Sequence, residues 1–110
     1  MYISVMDNTI GLGTKPKLNI NIEPIGEVTM DDYDFEVDIY CSLKRVQTTK
    51  KEDAIRVDEN NYIVLVDSNL LGHGNVKAKV TAYIPDDDFD DGIRPEVAYV
   101  ATDLVIVKGV

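Results

Sequence analysis

The chain has 110 residues, 45% of them hydrophobic, with 20 acidic against 11 basic side chains and a formal net charge of -9. That length is one domain with one core, and that hydrophobic fraction excludes global disorder. The acidic balance opposes nucleic-acid binding and docking on an anionic membrane, both of which need a surplus of Lys and Arg.

The N-terminus, MYISVMDNTIGLG, lacks the basic and continuously apolar regions of a secretory signal. No apolar run approaches the roughly 18 to 20 residues of a membrane span. The expectation is a soluble product that stays where it is made. Residues 1–17 read as an extended arm, in which Tyr2, Ile3, Val5 and Met6 favour a short strand before Gly11, Gly13 and Pro16 punctuate it. That much apolar surface is not left in water: the arm either adds a strand to its own sheet or lies on a neighbouring subunit. Residues 18–110 form the domain proper.

Lys17 to Glu23 (KLNINIE) alternates cleanly, with Leu18, Ile20 and Ile22 on one face, and Pro24 and Gly26 close it. Asp31 to Leu43 is the longest alternating run: Tyr33, Phe35, Val37, Ile39, Cys41 and Leu43 point one way, Asp34, Glu36, Asp38, Tyr40 and Ser42 the other. Lys44 to Asp53 (KRVQTTKKED) is charged and has neither period, which reads as an exposed loop. Ala54–Val57 and Tyr62–Val66 read as a hairpin about the turn residues Asp58-Glu59-Asn60-Asn61. Asp67 to Gly72 reads as one helical turn, capped by Asp67 or Ser68 and ended by Gly72.

Two β-forming runs follow, joined by an acidic turn. Val76, Ala78, Val80, Ala82 and Ile84 alternate with Lys77, Lys79, Thr81 and Tyr83, and Pro85 ends the run. Val97 to Val107 is more continuously apolar. It fits one strand with a bulge near Ala101–Asp103, two short strands, or a strand buried on both faces.

About seven short strands, at most one helical turn and frequent turn signals predict an all-β, antiparallel β-sandwich, with a small barrel as the alternative. The wet faces carry opposite charge: Asp34, Glu36 and Asp38 on one strand, Lys77 and Lys79 on another. Opposite charges stabilise neighbouring strands, so these two are expected to pair.

Candidates for chemistry are few. Asp86, Asp88 and Asp90 are spaced like the first ligands of a calcium loop. The match then fails, because Gly92 falls one residue late and Val97 stands where the bidentate Glu belongs. The plainer reading is a solvated acidic loop with Phe89 tucked inward and Arg94 offsetting some charge. The single histidine, His73, sits between two glycines and reads as a turn. No nucleophile elbow, paired-acid motif or phosphate loop accompanies it, so no catalytic residue and no cofactor are expected. The single cysteine, Cys41, lies in an apolar alternating run and reads as a buried structural thiol. Zinc would need several Cys or His ligands.

The strand YDFEVDIYC, the run EDAIRVDENNYIVLVDSNLLGHGNVKAKVTAYIPD and the passage DFDDGIRPEVAYV resemble small virion proteins of tailed bacteriophages of gut Bacteroides-type hosts, including crAss-like phages. The chain also looks broadly like the immunoglobulin-like N-terminal modules of phage baseplate proteins. The resemblance covers about two thirds of the chain (residues 33–107), and its motifs are structural punctuation. It implies an immunoglobulin-like sandwich and a non-enzymatic virion role: capsid decoration, or an adaptor for a head fibre, tail or baseplate component. Other virion proteins, and further copies of the chain, would be its partners, and it would be made in the cytoplasm of the bacterial host. It transfers no catalytic or binding residue, and residues 1–30 fall outside it. Tyr2, Ile3, Val5 and Met6 are the expected docking residues. A carbohydrate- or protein-binding accessory module of a bacterial cell is the alternative.

Overall fold

The computed structural model describes residues 2–5, 8–24, 29–41 and 46–108. Two β-sheets pack face to face over one hydrophobic core. Among the described residues nine strands run in chain order: β1 (Tyr2–Val5), β2 (Thr9–Gly11), β3 (Lys17–Asn21), β4 (Asp34–Tyr40), β5 (Val46–Lys50), β6 (Ile55–Arg56), β7 (Asn61–Leu65), β8 (Gly74–Pro85) and β9 (Ile93–Val107). A 3-10 turn, Lys51–Asp53, follows β5, and the helical turn α1, Ser68–Leu71, follows β7. The four-stranded sheet has the order β1-β3-β7-β6 and the five-stranded sheet the order β2-β9-β8-β4-β5. All pairs are antiparallel except β2 with β9.

The core follows the alternation. Leu18, Ile20 and Ile22 from the β3 segment, Phe35, Val37 and Ile39 from β4, Tyr62 and Val64 from β7, and Val76, Ala78 and Val80 from β8 are all buried. Each such side chain contributes on the order of 1.5–3 kcal/mol before entropy is subtracted. Phe35 and Tyr62 meet edge-to-face across the two sheets, 4.9 Å between ring centres. α1 forms as its sequence requires: the Asp67 carboxylate caps it by accepting from the Asn69 amide, and Gly72 ends it at φ 83°. The hairpin of β6 and β7 is present, and its turn is held by Asp58, whose Oδ1 accepts from the amides of Asn60 and Asn61.

Four expectations are changed or decided. The charged stretch expected as a loop contains β5, which pairs with β4 along its whole length; only Thr49 of β5 is buried, so no apolar alternation marks it. The N-terminal residues take the first of their two expected placements and add strands to the protein's own sheets. β1 joins β3 in one sheet, while β2 joins β9 in the other. The last apolar run is one strand with a bulge. Between the pairs Lys77–Ala101 and Asn75–Val105, three residues of β9 oppose the single Val76. There Asp103 takes a positive φ of 57°, and the buried Thr102 hydroxyl donates to the Val76 carbonyl and accepts from the Leu104 amide. This strand is not buried on both faces: from Ile93 to Val97 it is largely exposed, and its inner face is buried only from Thr102 onward.

Candidate interaction surface

The long hairpin β8–β9 carries the features most suited to binding. In the acidic turn the Asp86 amide donates to the Gly92 carbonyl at 2.9 Å. The hydrogen-bonded pair thus falls at 86/92, and the ladder alternates from there. Arg94, Ala98 and Val100 direct their backbone groups to β8. Ile93, Pro95, Val97, Tyr99 and Ala101 direct theirs to the opposite edge. Among the described residues the only strand of this sheet on that side is β2, which pairs only with Val105, Ile106 and Val107, while β1, at the edge of the other sheet, runs close to β9 without pairing to it. Among the described residues no strand is therefore paired along the edge from Ile93 to Ala101, which is open in that sense.

The side chains at those five positions all stand on the outer face of the five-stranded sheet, beside Pro85, Tyr83, Thr81, Lys79 and Lys77 of β8. None of the five is charged, and Ile93, Val97 and Tyr99 are 40%, 48% and 72% exposed. An uncharged strip along an unpaired strand is where another chain can add both backbone hydrogen bonds and side-chain burial. Pro95 interrupts the strip without breaking the sheet, because its missing N–H falls on the open side rather than toward β8.

The turn itself is a carboxylate-rich tip. The Asp86 carboxylate is already committed: one oxygen accepts from the Asp88 amide, the other from the Arg94 guanidinium at 3.2 Å. Arg94 also reaches Glu96 at 3.3 Å. Arg94 does offset the turn's charge, but Phe89 does not tuck inward; it is 45% exposed. The turn closes on backbone hydrogen bonds from Phe89 to Asp86 and from Gly92 to Phe89, which leave the ring outside. Among the described residues no group of three or more acidic, His or Cys side chains is gathered to hold an ion. The calcium-like spacing of Asp86, Asp88 and Asp90 is thus not converted into a ligand set. Beside the turn, Asp32, Asp34, Tyr83, Pro85, Gly92 and Ile93 line an open cleft of about 310 Å³.

The other candidates are dispersed. Of the expected docking residues, Ile3 points into the protein's own core, Val5 packs against that core, and Tyr2 is exposed. Met6 lies outside the described residues. Cys41 is buried, with its thiol toward the carbonyls of Gly72 and Gly74, and burial pushes its pKa up. His73 is exposed in the bend before β8. Sequence reasoning missed the open β9 edge. The signal was present in Pro95, since a proline within a strand-forming run marks an edge.

No helix among the described residues is long and apolar enough to cross a membrane. No model of a known protein family matches the chain, and no curated protein is significantly similar to it in sequence.

Proposed function

We propose that this chain is a non-enzymatic, immunoglobulin-like module that works by protein–protein contact as a structural component of a tailed-phage virion. The observation that carries contact as its mode of action is the open β9 edge, with Ile93, Val97 and Tyr99 exposed beside unpaired backbone groups. The immunoglobulin-like assignment is supported by the strand orders β1-β3-β7-β6 and β2-β9-β8-β4-β5, in which the first strand segments divide between the sheets and the second runs parallel to the last. The virion assignment is supported by the resemblance of residues 33–107 to small virion proteins of phages of Bacteroides-type hosts. Capsid decoration, or adapting a fibre, tail or baseplate component, is the corresponding task.

Quantitative mass spectrometry of purified particles tests this. Stoichiometric copies per virion are expected. Recovery of the chain only in the host-cell fraction would instead make it an accessory module of the cell.

A further inference from the structure

The open edge also carries information about what pairs with it. Its outer face is uncharged from Ile93 to Ala101, while its first residue leads out of a turn holding five aspartates. Asp87, Asp88, Asp90 and Asp91 are exposed there, and the nearby Arg94 is drawn to Asp86 and Glu96. A strand lying along β9 meets an apolar strip that terminates in strong negative charge.

Self-pairing in the registers centred on Pro95, Glu96 or Val97 fits this edge poorly. Antiparallel pairing of two β9 strands about Val97 brings Asp91 of one copy toward Asp103 of the other. Pairing about Glu96 sets that carboxylate against itself. Pairing about Pro95 matches Arg94 with Glu96, but it places two prolines at the centre and removes the amide hydrogens that would bridge them. Each copy also brings a net charge of -9.

Resting on the protein–protein reading above, we infer that the β9 edge binds an extended segment of a different protein, apolar at alternate positions and basic at the end that lies beside Asp87–Asp91. In the antiparallel orientation that end is the segment's C-terminal one. Backbone hydrogen bonds to Ile93, Val97, Tyr99 and Ala101 set its register, and the carboxylates select its charge.

The test is an amide-resolved NMR titration of the intact protein with two octapeptides. The first alternates valine with threonine, its last two threonines replaced by lysine; the second carries glutamate in place of lysine. The lysine peptide is expected to slow exchange of the Val97, Tyr99 and Ala101 amides and to bind at least about tenfold tighter than its counterpart at low salt. The difference should shrink as salt shortens the screening length. Val97→Pro should abolish protection. Ile93→Lys, which leaves the backbone untouched, should weaken the lysine peptide and favour the glutamate one. Equal binding of both peptides along β9 would overturn the charge assignment while leaving the edge as the contact. No change at any β9 amide would overturn the edge as well. Protection of these amides in a dimer of the protein alone would replace the foreign segment by a second copy.

Discussion

Lys79 stands directly opposite Asp38 across the β8–β4 pair, on the outer face of the five-stranded sheet. This is the neighbour relation that the opposite charges of the two strands predict. Asp38 is also tied to β5, since its Oδ1 accepts from the Thr48 hydroxyl at 2.6 Å. One carboxylate thus lies between a cation on one neighbouring strand and a donor on the other. Lys79→Glu should lower the unfolding free energy by about 1 kcal/mol, because a like-charged pair then faces across the ladder. Urea denaturation at low and high salt checks this; the loss should be smaller at high salt.

The two phenylalanines should respond in opposite ways. Phe35 is 1% exposed and packs on Tyr62, so Phe35→Ala should cost about 3–5 kcal/mol. Phe89 stands outside the acidic turn, so Phe89→Ala should change stability by less than about 0.5 kcal/mol. A large loss for Phe89→Ala in a urea melt would mean that the ring is packed after all.

Thr102→Val keeps the side-chain volume but removes the hydroxyl that joins the Val76 carbonyl to the Leu104 amide across the bulge. Both backbone groups lose a partner, and the expected cost is about 1–3 kcal/mol. Amide exchange at Leu104 should rise with it.

Two exposed carboxyls should shape the acid limb of stability. Hydrogen bonds from the Asn61 side chain and the Asn60 amide hold Asp58 below the usual carboxylate range. The Arg56 guanidinium does the same for Asp31, first by hydrogen bonding and then by charge. A pKa lowered by folding means that the unfolded chain binds protons first on acidification. The stabilisation is therefore complete above the ordinary carboxylate pKa and is lost as pH falls below it. Asp58→Asn should flatten the decline in urea midpoint below that pKa; an unchanged slope would remove Asp58 from the account.

Much of the sandwich was legible where one apolar face is buried and one polar face is wet. Leu18, Ile20 and Ile22, the odd-numbered residues from Tyr33 to Cys41, and the even-numbered residues from Val76 to Ile84 are all buried as their alternation requires. The capped turn at Asp67–Gly72 was legible for a local reason, since its signals lie within six residues. β5 was not, because Val46 to Lys50 is held by backbone pairing to β4 and buries only Thr49. The open edge was hidden for a related reason. Val97 and Tyr99 fall in the continuously apolar run Val97–Val107, whose pattern does not separate these outward-facing residues, beyond the end of β2, from the buried ones that follow.

The parallel pair of β2 and β9 sets the order in which the molecule can be finished. Thr9 meets Val105, so one of the first strands made finds its partner only among the last residues of the described chain. β1 can already close on β3 once Lys17–Asn21 has emerged. Pairing between such distant segments carries a large loop-closure entropy and is slow. A nascent chain should therefore hold the four-stranded sheet early and carry Thr9–Gly11 as an unsatisfied edge until Val105–Val107 have emerged, which makes that interval the one most exposed to aggregation or to chaperone capture.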